Sequence, residues 1–259
     1  MPSVPQLLAG LPAISVAETL TLAPGIVDLW YCFYEDLDKS TAGTYEALLT
    51  PVERQRCTAL HFECDRHQFL VTRALARTVL SCYAPVRPAD WRFEADEYGK
   101  PQILSPLVKP DLYFNLANTR GLVVCAVSAV HQALGIDAER LESDIDVTAL
   151  AEQYFSPSEV RDLKALPPAD HWHRFFAYWT LKESYIKARG LGLTIPLDQF
   201  SFILREDAVD VVFQAELRDD AALWRFALVG PGPHHALAVG VNTGGAELSL
   251  RAARASLPY

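Results

Sequence analysis

The sequence is poor in the features that hold a protein at a lipid or polyanionic surface. No apolar run approaches the roughly 20 residues that cross a bilayer, so no membrane span is expected. No Lys or Arg precedes Lys39, which removes the basic leader of a secretory signal, and prolines at 2, 5, 12 and 24 interrupt the same stretch. Acidic residues outnumber basic ones 32 to 23, a net charge of -9. That balance excludes a global positive field for nucleic acid or an anionic membrane, so any anionic ligand must be caught locally. Cysteine is limited to positions 32, 57, 64, 82 and 125, an odd number without close paired spacing. This pattern fits reduced thiols and a cytoplasmic location. Cys57, His61, Cys64 and His67 recur at helical steps, but along one straight helix they would spread over roughly 15 Å, too far for a shared zinc ion.

Several catalytic signatures are missing as well. There is no Gly-x-x-x-x-Gly-Lys-Ser/Thr loop, and no Gly-x-Gly-x-x-Gly opens a helix. Gly190-Leu191-Gly192 follows a helical segment and reads as a stop and turn. His171, His173, His234 and His235 lack a serine motif around them, so nucleophilic Ser-His-Asp chemistry has no support.

Half of the 259 residues are hydrophobic, ample for a folded core. Val27 to Tyr34 is dense in β-branched and aromatic residues and predicts a strand, followed by a loop or short turn over 36–44. Thr50-Pro51-Val52-Glu53 is a capping box with proline at the first helical position, opening a helix through about His61. A second helix is predicted over about 65–83. Its Arg66, Arg73 and Arg77 suit either a solvated face or phosphate contact. Short strands are expected near 91–95, 111–116 and 122–130, with turns at 98–101 and 118–121. The second half starts with a strand into Gly135-Ile136-Asp137. Helices are then predicted over about 147–155, 157–165 and 170–188, and strands near 200–204, 209–217, 224–228 and 235–241; the tail from 242 gives no clear signal. This order implies an α+β fold. Two halves of similar strand and helix content meet near residue 132, giving subdomains 1–132, with 1–25 an extension, and 133–259.

Two segments carry the chemistry. Asp137 and Glu139 sit at i, i+2 and share one face of a strand, while Glu183 and Lys187 sit at i, i+4 on one helix. Three carboxylates together form a costly negative cluster unless a cation joins them. Such oxygen ligands suit Mg²⁺, and the adjacent Lys182 and Lys187 suit phosphate. The combination favours phosphoryl or pyrophosphate chemistry, catalysed by positioning and charge neutralisation.

Gly135-Ile136-Asp137-Ala138-Glu139 resembles the Gly-Ile-Asp-x-Glu motif of the Sfp-type 4′-phosphopantetheinyl transferases. Trp179-Thr180-Leu181-Lys182-Glu183-Ser184-Tyr185-Ile186-Lys187 resembles that family's Trp-x-x-Lys-Glu-Ser-x-x-Lys motif, the more specific of the two. Tyr98-Gly99-Lys100-Pro101, Phe114-Asn115-Leu116 and Gly190-Leu191-Gly192-Leu193 extend the resemblance over roughly residues 50–240. It implies two similar α/β subdomains related by pseudo-twofold symmetry, with the active site in the cleft between them, in a monomer. The implied reaction moves phosphopantetheine from coenzyme A to a serine of an apo acyl or peptidyl carrier protein, releasing adenosine 3′,5′-bisphosphate. Asp137, Glu139 and Glu183 would hold Mg²⁺, with Glu183 also a base and Lys187 neutralising the leaving phosphate. Arg56, Arg73, Lys100 and Lys182 are the implied coenzyme A contacts. Where the family often has Ser-His-Ser, this chain has Ala117-Asn118-Thr119, so Asn118 or Thr119 replaces a histidine with a neutral donor. Position 53, often basic in relatives, is Glu53. Arg161, Lys164, Arg174 and Arg189 are the expected docking patch for an acidic carrier. Two alternatives share the carboxylates: a Mg²⁺-dependent phosphoesterase acting on a related pyrophosphate, and a noncatalytic protein that binds coenzyme A or a carrier.

Overall fold

Capping boxes and apolar periodicity generate most of the elements where the sequence places them. The computed structural model describes residues 6–7, 10–14, 19–37, 42–141 and 145–255. The chain divides into two units. The strand β1 (Gln6–Leu7) belongs to the second of them.

The first unit contains β2 (Ile26–Phe33), α1 (Ala42–Leu48), α2 (Pro51–Ala59), α3 (Glu63–Ser81), β3 (Arg92–Ala95), β4 (Pro101–Ser105), β5 (Tyr113–Thr119) and β6 (Leu122–Ser128). Its sheet runs β12-β2-β6-β5, where β12 is Ser249–Arg254 from the far end of the described chain. All seven residues of β6 are buried, as a central strand covered on both faces requires. Alternate residues Trp30 and Cys32 on β2, and Val123, Cys125 and Val127 on β6, pack with Leu70, Ala74, Leu75 and Val79 of α3 into one core. Asp28 lies fully buried beside this core. Its carboxylate accepts a two-pronged bridge from Arg251 on β12, at 2.6 and 2.8 Å, and a 2.6 Å bond from the Tyr83 hydroxyl.

Thr50 and Glu53 form the expected capping box at the start of α2. Glu53 has a second partner, the guanidinium of the fully buried Arg77 at 2.6 Å. An acid at 53 therefore neutralises a charge in the core, and Arg77 is no solvated-face residue. Arg66 caps the end of α2 instead, donating to the carbonyls of Leu60 and His61.

The second unit contains β7 (Leu134–Arg140), α4 (Val147–Tyr154), α5 (Pro157–Lys164), α6 (His171–Arg189), β8 (Phe200–Leu204), β9 (Val209–Phe213), β10 (Trp224–Gly232) and β11 (His235–Asn242). The main sheet runs β1-β10-β11-β7; β10, β11 and β7 are antiparallel and β1 pairs parallel with β10. Ser156 caps α5 in a complete capping box. Gly190 ends α6 with φ 63°, a left-handed conformation that a residue with a Cβ pays strain to adopt. An aromatic core of Phe155, Phe175, Tyr185, Phe200 and Phe226 packs around α6.

The α+β expectation holds, and several local expectations change. Helix α1 begins inside the predicted 36–44 loop. The strand predicted over 209–217 stops at Phe213, β4 was not anticipated, and β12 lies in the tail. The two helices predicted through about His61 and over about 65–83 are α2 and α3, separated between Ala59 and Glu63, so Cys57 and Cys64 occupy different helices.

Candidate active site

Helix α6 lies against β7 with backbone touching backbone. A Cβ on Gly135 would stand 2.0 Å from the Ser184 carbonyl oxygen and 2.4 Å from the Ala188 nitrogen, so only glycine permits this approach. Strand alternation then turns Asp137 and Glu139 toward the same helix. The Lys187 ammonium meets Asp137 Oδ1 at 2.7 Å. Asp137 is 6% exposed, and its second oxygen, Oδ2, is buried without a hydrogen-bond partner.

The electrostatics tie the three acids into one cluster. Burial raises Asp137 above the usual carboxylate range, against the pull of Lys187. Glu139 is pushed up to about 7, first by burial and then by the charge of Asp137, with a smaller push from Glu183; a hydrogen bond with the Trp179 side chain and the charge of Lys187 oppose the rise. Burial and Asp137 also raise Glu183, again against Lys187. Among the described residues, no group of three His, Cys, Asp or Glu side chains already stands close enough to cage a metal ion. The donor set nevertheless fits a hard dication: all three groups are carboxylates, Asp137 raises the proton affinity of both glutamates and Glu183 adds to that of Glu139, and one buried oxygen has no donor.

Lys182 does not join this cluster, a correction to the sequence expectation. It is fully buried, its ammonium 2.8 Å from Glu159 Oε2 and donating to the carbonyls of Leu197 and Phe200 at 2.7 and 2.6 Å. Every proton of that ammonium faces a protein oxygen, so Lys182 braces the helix and cannot reach a ligand. In the sequence the capping box conceals this second task of Glu159, because both use one carboxylate.

The proposed nucleotide contacts lie in the first unit. Arg56 is exposed on α2. Arg73, on α3, is 3.8 Å from Glu53, with its guanidinium over the Phe69 ring; burial lowers its proton affinity. Lys100 follows the turn at Gly99 and is half-buried, which brings its ammonium down to about 8 against the pull of Asp96. Asn118 and Thr119 end β5. The Asn118 carbonyl oxygen accepts a 2.6 Å bond from Gln68, which leaves its NH₂ as the group with protons to offer.

The expected carrier patch is largely neutralised. Arg174 is buried against Asp162, Lys164 pairs with Glu152, and Arg189 pairs with Asp219 at 2.5 Å. Arg161 remains exposed. A basic surface read from the sequence alone misses acids brought in from other elements.

Residues 133–239 match the family described as the 4′-phosphopantetheinyl transferase superfamily. The chain is 36% identical over 181 residues to a 4′-phosphopantetheinyl transferase of Bacillus subtilis, covering 68% of this chain and 77% of that one. It is 34% identical over 179 residues to the 4′-phosphopantetheinyl transferase Sfp of Bacillus subtilis strain 168, with the same shares covered. It is also 34% identical over 174 residues to the 4′-phosphopantetheinyl transferase HetI of a Nostoc species, covering 67% and 73%.

Proposed function

This chain belongs to the 4′-phosphopantetheinyl transferase superfamily, and we propose that it transfers the phosphopantetheine arm of coenzyme A to a serine of an apo carrier protein. The observation that carries this reading is the cluster of Asp137, Glu139, Glu183 and Lys187, in which three acids and one lysine share a half-buried corner between a strand and a helix. Asp137, Glu139 and Glu183 would hold Mg²⁺, which when bound neutralises charge on a pyrophosphate.

The chain's own groups account for the proton and the leaving charge. Glu183, with its proton affinity raised by burial and by Asp137, is a stronger base than an exposed carboxylate and takes the proton from the serine hydroxyl. As the carrier serine Oγ bonds to the pantetheine phosphorus, the bridging P–O bond breaks and adenosine 3′,5′-bisphosphate departs with the electron pair. Lys187, anchored by Asp137, places its positive charge beside the phosphates. Arg56, Arg73, Lys100, Asn118 and Thr119 are the proposed contacts for the anionic nucleotide end.

The test is intact-mass analysis of a panel of apo carriers incubated with coenzyme A and Mg²⁺, in which one added phosphopantetheine is expected. Hydrolysis of coenzyme A without any carrier requirement would make the protein a phosphoesterase instead. Glu183→Gln should reduce transfer by roughly 10²–10⁴-fold while coenzyme A binding persists; a fully active variant would remove Glu183 from the mechanism.

A further inference from the structure

Two neighbouring strands of the second unit's sheet carry paired glycines under α6. Phe226 on β10 is paired with Gly240 on β11, and Gly240 with Gly135 on β7. Ala238 and Ala236 face Asp137 and Glu139 across the same strand pair. Directly opposed residues share a face, so Gly240, Ala238 and Ala236 lie on the side that carries the carboxylates. A methyl group at 240 would stand 2.7 Å from Phe226 Cε1 and 3.0 Å from Ser184 Oγ. The φ of Gly240 lies outside the left-handed region, so the glycine supplies space and no special backbone freedom is involved. Ser184 directly follows Glu183, and its carbonyl fills the place where a Gly135 side chain would be.

We propose that Gly240 is a positioning residue for phosphopantetheine transfer: with Gly135 it forms a trough into which α6 sinks, setting Glu183 and Lys187 at the height of Asp137 and Glu139. The inference rests on the transfer reading for its kinetic consequence only. The two glycines act differently. Gly135 meets helix backbone, which cannot yield without moving the whole helix. Gly240 meets a hydroxyl and a ring edge, so alanine there is accommodated by a small lift of α6 and a turn of Phe226. That lift acts on the 2.7 Å contact between Lys187 and Asp137.

The experiment compares wild type, Gly240→Ala, and Gly240→Ala combined with Ser184→Ala, which removes the hydroxyl that the new methyl meets. Crystal structures of the single variant should show α6 lifted from β7 and the Lys187–Asp137 contact opened, with both restored in the double variant. In steady-state transfer, kcat should fall roughly 10- to 100-fold with little change in KM for coenzyme A, and the double variant should recover most of it. Ser184→Thr adds a methyl from the helix side and should reproduce both effects; it carries the test if Gly240→Ala does not fold. Wild-type kcat in the single variant, a loss of kcat with α6 in place, or a loss that Ser184→Ala leaves unrepaired overturns the proposal. A wild-type protein that transfers nothing refutes the functional reading, while the substrate-free structures still decide whether Gly240 sets the helix.

Discussion

Replacing Glu159 by glutamine keeps the shape of the side chain and deletes one buried charge. Its Oε1 accepts from the Phe202 amide at 2.9 Å, a bond the glutamine carbonyl can retain. What changes is the Oε2 position: an NH₂ there faces the Ser156 amide and hydroxyl, ending the capping box, and faces Lys182, which loses the carboxylate 2.8 Å from its ammonium while both side chains stay sealed from water. Burial already lowers the proton affinity of Lys182, and in the variant the main opposing pull, from Glu159, is gone while the smaller one from Asp198 remains. Breaking a buried pair from one side costs about 3–5 kcal/mol. A ceiling on the lysine's share follows from its escape: it can shed its proton, which at pH 7 costs about 4.6 kcal/mol, or about 3.4 pH units below an unfolded value near 10.4 at about 1.36 kcal/mol each. With Lys182 neutral in the folded variant and charged in the unfolded one, the unfolded state binds more protons, so stability rises with pH. Urea unfolding should therefore give a lysine share of the loss of about 3–4.6 kcal/mol at pH 7 that shrinks by about 2.7 kcal/mol at pH 9, relative to wild type, on top of about 1 kcal/mol for the lost cap, which does not change with pH. A loss below about 1 kcal/mol, or one independent of pH, would refute the assignment of Lys182 as a charged brace.

Two further outcomes concern the other buried acids. Glu139, with a folded value of about 7 against roughly 4.3 unfolded, binds its proton more tightly in the native state, so it withdraws stability as pH rises through that window. In metal-free buffer Glu139→Gln should raise the melting temperature at pH 8 and leave it nearly unchanged at pH 4; an equal effect at both would refute the shift. Asp28→Asn removes the charge that holds Arg251, so amide hydrogen exchange across Ser249–Arg254 should accelerate selectively, and uniform acceleration over the first unit would show that the bridge is not local.

Much of the second unit was legible because its signals are local. Ser156-Pro157-Ser158-Glu159 announces α5, Gly190 announces the end of α6, and the strand-helix pair bearing Asp137, Glu139, Glu183 and Lys187 is visible in spacing alone. The sequence misleads where a residue answers to a distant partner. Lys182 sits beside Glu183 in the motif, yet its direction is set by Glu159 on another helix. Arg77 keeps helical step with Arg73 but is claimed by Glu53. Gly240 carries no chemical signal at all; its meaning lies in the register that sets it beside Gly135 and Phe226. Strand β12 was silent because its partner β2 lies more than two hundred residues earlier, a separation no local pattern encodes.

The two parallel edge strands also bear on the order in which a ribosome would deliver the pieces. Residues 12–130 emerge before residues 131–248, but the outer edge of β2 stays open until Ser249–Arg254 has been made, after the whole of the other unit. During that interval Asp28 waits without the guanidinium that neutralises it, and an open strand edge is a template for wrong pairing. A nascent chain stalled or cleaved before Arg251 would thus carry a buried acid without its counter-charge, which marks an unfinished molecule as less stable than a finished one and hands it preferentially to chaperones and proteases.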